Sequence, residues 1–155
     1  MLRAARQQNQ AIEAKKNWNI VVFSVGGITL AARTEDVGGV SPWVEPTPVP
    51  SRTPFVGAML KRDKEVMPVY DLAARLQCTP KGDRLLCLVA RHVDGPIAIC
   101  IDSVIPSIHN VEVTQISLSG RTDLETLGRF TNEGLDIDIV ALQRIGKKRQ
   151  ESIRI

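Results

Sequence analysis

Asp136 and Asp138 come nearest to a catalytic pair in this sequence. Carboxylates at i and i+2 share one face of a strand, and a shared face is what a general acid and its base require. The surrounding "LDID", however, simply alternates apolar and acidic residues. An exposed strand face and a helix N-cap account for both carboxylates. His92 and His109 have no metal-spaced partner, and each stands beside a turn, so both are expected at the surface. Cys78, Cys87 and Cys100 are odd in number and contain no Cys-x-x-Cys pair, which argues against a disulfide framework or a zinc site. Cys87 and Cys100 fall in apolar runs and are expected to be small core residues. "VGGITL" and "DVGGVSP" are glycine pairs, not phosphate or dinucleotide loops. No catalytic residue, metal ligand or cofactor-binding residue is assigned, and the expectation is a non-enzyme that acts through its surfaces.

The surface oddities therefore carry the argument. Between "PFVGAML" and "VMPVYDL" stand five consecutive charges, Lys61, Arg62, Asp63, Lys64 and Glu65. Trp43 sits in a proline-rich stretch, and Val37 and Val40 flank Gly38-Gly39. Taken singly, each has an ordinary structural explanation: a solvated tip, a lid on the core, a strand edge.

The elements that must position them are mostly short strands. "WNIVVFSV" and "ITLAA" around Gly26-Gly27 predict a tight hairpin, and "EDVGGV" a short third strand. "SPWVEPTPVPSRTP" has prolines at 42, 46, 48, 50 and 54, too many for a helix or central strand, so it is expected to cross the surface extended. "FVGAML" and "EVMPVY" predict a second hairpin whose tip is the charge block, followed by a short helix "DLAARL" capped by Asp71. After a polar break near 77–83, "RLLCLVAR" and "PIAICID" predict a third hairpin. "SVIPSIHNVEVTQI" follows as a broken strand, then "LETLGRF" and "LDID" around the turn "TNEG". "IVALQRIGKKRQE" is expected to close the fold as a short amphipathic helix. Short strands with turn signals between them indicate small β-barrels, and the break near 77–83 suggests two halves.

The chain of 155 residues has 43% hydrophobic and only 4% aromatic residues, so its core must be built from Val, Ile, Leu and Ala. No apolar run approaches the roughly 18 residues of a membrane span, and the first residues lack the apolar segment of a secretory signal. A soluble, reduced, cytoplasmic protein without direct membrane insertion is expected. The net charge of +3 is unevenly placed: residues 1–16 carry +3, residues 144–155 carry +4, and the body between them carries −4. An acidic body is a poor match for phosphate, so no nucleic acid is expected as a partner. A small β-barrel nucleic-acid module using the basic ends is the alternative.

In order along residues 18 to 145, "VVFSVGGITLAARTEDVGGV", "PTPVPSRTPFVGAMLKR", "VMPVYDLAARL", "LLCLVAR", "IAICIDSVIPSIHNVEVTQI", "GRTDLETLGRF" and "LDIDIVAL" resemble successive segments of the CheW-like family of chemotaxis coupling proteins. The resemblance implies an all-β fold of two five-stranded SH3-like β-barrel subdomains with short helices. It would span residues 17–145, behind a helix-prone or disordered leader at 1–16 and ahead of a basic tail at 146–155. It implies a non-catalytic adaptor that links methyl-accepting chemoreceptors to a CheA-type histidine kinase, in chemotaxis or in a pilus or gliding system. Receptor tips would dock in the groove between the barrels, and the kinase regulatory domain, of the same fold, would pair with barrel ends. Arg62, five positions after Gly57, takes the place of the family's functional arginine, which makes Arg62 and Gly57 the expected receptor-binding residues. Val37, Gly39 and Val40 fall on the partner surface of the third strand. The family has Gly after that arginine, where this chain has Asp63, and counting back from Pro68 puts Asp63 itself at the arginine position.

Overall fold

The computed structural model describes residues 16–147, so the leader up to residue 15 and the tail from residue 148 lie outside the described residues. Eleven strands follow in order: β1 (Asn17–Val25), β2 (Ile28–Arg33), β3 (Val37–Pro42), β4 (Thr47–Pro48), β5 (Val56–Arg62), β6 (Glu65–Tyr70), β7 (Leu86–His92), β8 (Gly95–Ile101), β9 (Ser107–Glu112), β10 (Thr126–Asn132) and β11 (Leu135–Val140). One helix of a single turn, α1 (Leu72–Arg75), follows β6, and the Asp71 carboxylate caps it by accepting from the Ala74 N–H at 3.0 Å.

Two curled sheets result, one ordered β10-β11-β2-β1-β9 and the other β3-β7-β8-β6-β5-β4. Local hairpins supply the antiparallel pairs, and each sheet is completed by one parallel pairing, β11 with β2 and β6 with β8. The first sheet thus joins the two ends of the chain, and the middle of the chain forms the second.

The alternation of side chains divides the apolar residues into three cores. Ile20, Ala31, Val111, Phe130, Ile137 and Ile139 fill the first curl, and Leu60, Met67, Val69, Cys87, Val89 and Ala98 fill the second. The opposite faces of the same strands meet between the sheets. On β1, Ile20 points into its curl while Phe23 and Val25 join the shared core; on β8, Ala98 points inward while Ile97, Ile99 and Ile101 are shared. Strands buried on both faces explain why "LLCLVA" and "IAICI" are continuous apolar runs.

Three expectations need correction. The second sheet has six strands, because Thr47–Pro48 of the proline-rich crossover pairs with Met59 and Ala58 as a two-residue edge. Proline is admitted there because an edge needs donors on one side only. The break near 77–83 lies inside the second sheet, between α1 and β7; the chain changes sheets after β2 and again after β8. Finally, "IVALQRIGKKRQE" is not an amphipathic helix across its described part. The β-branched Ile139 and Val140 remain in β11, and only Leu142–Arg144 forms a 3-10 turn.

Candidate functional site

A groove of about 560 Å³ runs between the sheets, with β3 along one side and the start of β9 along the other. Val37, Gly39 and Val40, the three partner-surface residues expected from the sequence, all line it, together with Ile105, Pro106 and Ile108. Val37 is half-buried against the shared core, whereas Val40 is exposed. Ile105 and Ile108 are 82% and 73% exposed, and neighbouring Val104 is 67% exposed. Branched apolar side chains standing in water side by side form an exposed apolar patch. Gly39 has φ 154 and nothing within 4 Å of where a Cβ would stand, so the wall of the groove is open there to an approaching chain.

Both strands bordering the groove are sheet edges, β3 in one sheet and β9 in the other. A bulge between Val37 and Gly39 shifts the pairing of β3 with β7. Three residues, Thr34–Asp36, turn the chain from β2 into β3. The apolar residues of β9 and its lead-in were missed in the sequence. Their signal was an Ile on each side of Pro106 in a stretch that could form only an edge.

The charge block forms the hairpin tip as expected. Arg62 pairs in register with Glu65, Asp63 and Lys64 make the turn, and all five charged residues are exposed. Arg62 forms no ion pair among the described residues, and it does not line the groove. It is nevertheless close enough to oppose the rise that burial imposes on the Cys87 thiol, and Cys87 pairs with Ser41 of β3. Gly57 sits at the far end of β5, in the bulge between Val56 and Ala58, with open space beside it. The site thus has an apolar groove, and the charged tip stands apart from it on the β5–β6 hairpin, which is separated from β3 by β7 and β8 in the sheet order.

Residues 19–132 match the family model described as CheW-like domain. The chain belongs to the CheW-like family. No curated protein matches it. Among solved structures, it is similar to the scaffolding protein TtCheW from Thermoanaerobacter tengcongensis, at 19% sequence identity and a TM-score of 0.70. The likeness covers 81% of this chain and 90% of that one.

In this CheW-like domain the most informative polar groups are three buried carboxylates, Asp36, Asp102 and Asp138. Asp102, at the end of β8, accepts from the N–H groups of Gly26 (2.7 Å), Gly27 (2.8 Å) and Lys81 (2.8 Å). Burial raises its pKa, but those three donors together hold it below the usual carboxylate value. The β1–β2 turn is thereby tied to the far sheet. Gly26, at φ 60, admits no side chain there: a Cβ would lie 2.5 Å from Cys78 Sγ.

Asp138 accepts from Ser119 Oγ (2.7 Å), Arg121 Nε (3.0 Å) and Arg129 Nε (2.8 Å). Here too burial opposes the donors and is outweighed, so the pKa is lowered. The exposed-face and N-cap reading of Asp136 and Asp138 holds only for the exposure of Asp136; Asp138 is the buried centre of an ion-pair cluster. His92 is likewise not a surface residue. Its ring is buried, with Nε2 2.9 Å from the Ile145 carbonyl and Nδ1 accepting from the Asp94 N–H at 3.1 Å.

Asp36 differs from the other two. It is 3% exposed, and a single side-chain donor reaches it, Gln143 Nε2 at 2.9 Å. Burial pushes its pKa up and the Gln143 bond offsets this only in part, with Glu35 adding to the rise and Arg33 opposing it. Among the described residues no His, Cys, Asp and Glu cluster could hold a metal ion, and no helix is long and apolar enough to cross a membrane.

Proposed function

We propose that this protein is a chemotaxis coupling adaptor that holds methyl-accepting receptor tips and a CheA-type histidine kinase regulatory domain in one assembly. Binding without turnover is its activity. The observation that carries this reading is the apolar groove, in which Val37 and Val40 of β3 face Ile105 and Ile108 of the β9 border. A groove lined in this way suits the apolar stripe of a helix, which buries its anchors at i, i+3 and i+4 spacing. Receptor tips are helical in the CheW-like family's partners, and the groove is assigned to them.

Arg62 is assigned to orient the receptor tip through its planar fork, with acidic residues as partners. The backbone supports Arg62 and not Asp63 as the family position. Asp63 has φ 55, the left-handed region that glycine enters freely and aspartate tolerates, which is where a family glycine following the arginine would stand. The kinase regulatory domain is assigned to the barrel ends, where like folds can pair. The protein works where its receptors and kinase are, at the cytoplasmic side of the membrane.

Titration with a receptor cytoplasmic fragment tests the groove. Val40→Asp places a charge in it and is expected to weaken binding by about tenfold or more, since a desolvated unpaired charge is penalised by at least ~1.4 kcal/mol. Receptor affinity unchanged in both Val40→Asp and Ile108→Asp would reject the assignment.

A further inference from the structure

Asp36 stands where the chain passes from the first sheet to the second, immediately before β3. As an edge strand, β3 has a single sheet neighbour, β7, and a bulge loosens the start of that pairing. Backbone pairing alone therefore fixes the entry to β3 weakly. Three contacts supplement it: the Val37 N–H donates to the Thr34 carbonyl, Arg91 Nη1 of β7 donates to the Glu35 carbonyl at 3.5 Å, and Gln143, 107 positions away, donates to the Asp36 carboxylate. Gln143 is itself held, because its carbonyl accepts from the Val93 N–H at 2.8 Å in the β7–β8 turn. A continuous link thus runs from the β2–β3 crossover through the C-terminal 3-10 turn to the second sheet.

The character of the carboxylate sets it apart. Asp102 and Asp138 each collect three side-chain or backbone donors, whereas Asp36 is equally buried with one. A buried acid with so few donors weakens the fold when ionised, and a neutral residue would serve the core better. Groups kept on such terms are candidates for function. What Asp36 touches is the entry to the strand that carries the groove's partner residues.

We infer that Asp36 is a positioning residue for partner docking: through Gln143 it fixes the angle at which β3 leaves the first sheet, and so the spacing of Val37 and Val40 from Ile105 and Ile108. It makes no contact with the partner. The inference rests on the proposed docking role of the groove.

The experiment compares Asp36→Ala, Asp36→Asn and Gln143→Ala with the unaltered protein, using amide exchange of residues 37–42 and titration with a receptor cytoplasmic fragment; Val40→Asp is the control. Asp36→Ala and Gln143→Ala should each speed exchange within β3 selectively and weaken binding about tenfold, the scale of one buried hydrogen bond lost. Asp36→Asn, which keeps the accepting oxygen, should restore both. Unchanged β3 exchange and affinity in Asp36→Ala and Gln143→Ala, with Val40→Asp still impaired, would overturn the inference. Exchange that rises uniformly over all strands would also overturn it, since that is loss of stability and not of position. If Val40→Asp binds normally, the docking reading fails, and selective exchange in β3 still decides whether Asp36 positions the strand.

Discussion

At the scale of single residues, three buried aspartates predict opposite responses to pH. Asp102 and Asp138 have lowered pKa values in the fold, so their stabilising effect is present above the unfolded carboxylate value of about 3.9 and is lost as pH falls through their folded values. Asp36 has a raised pKa, so its effect is present below that unfolded value and is lost as pH rises through the folded one. Burial drives that rise and Glu35 adds to it, while the Gln143 hydrogen bond and Arg33 oppose it only in part. Asp102→Ala should therefore destabilise the protein at neutral pH by about 3 kcal/mol, because three donors lose a charged acceptor. In a protein of this size that corresponds to roughly 10 °C in melting temperature. Asp36→Asn should be at least as stable as the unaltered protein at pH 7, with the difference vanishing in acid. Calorimetric melting from pH 3 to 8 checks both signs.

At the scale of elements, the hairpins were legible and their roles were less so. Gly26-Gly27, Asp94-Gly95 and the charge block are local turn signals, and each turn formed where expected. Asp138 and His92 were misjudged because their partners lie on other segments: Arg129 across the hairpin with Ser119 and Arg121 of the preceding loop for the first, the Ile145 carbonyl, 53 positions away, for the second. A polar residue beside a turn looks solvated until the element that covers it is known. Val37, Gly39 and Val40 came from a family resemblance, and their grouping with Ile105 and Ile108 depends on two sheet edges meeting. The β5–β6 hairpin carries its own test. With Asp63 at φ 55, Asp63→Gly should leave stability within about 0.5 kcal/mol, whereas the β-branched Asp63→Val should lose about 1–2 kcal/mol. Neither should alter receptor affinity much, but Arg62→Ala should weaken it while the melting temperature stays unchanged.

At the scale of the whole molecule, the division of the chain was the least legible feature. The first sheet needs β11 beside β2, a parallel pairing between strands more than a hundred residues apart, and no local signal announces it. Two curls sharing one central core also leave two edges, β3 and β9, facing a common groove, the place proposed for the receptor tip. We assign the coupling of receptor to kinase to residues 16–147, without help from the basic ends. Calorimetric titration of residues 16–147 with a CheA-type kinase regulatory domain, followed by a receptor cytoplasmic fragment, tests it most directly. Saturable one-to-one binding of the kinase domain is expected, with a second binding event when the receptor fragment is added, the latter lost in Val40→Asp. Absence of kinase binding by residues 16–147, or binding that appears only with the basic ends restored and fades with added salt, would contradict it.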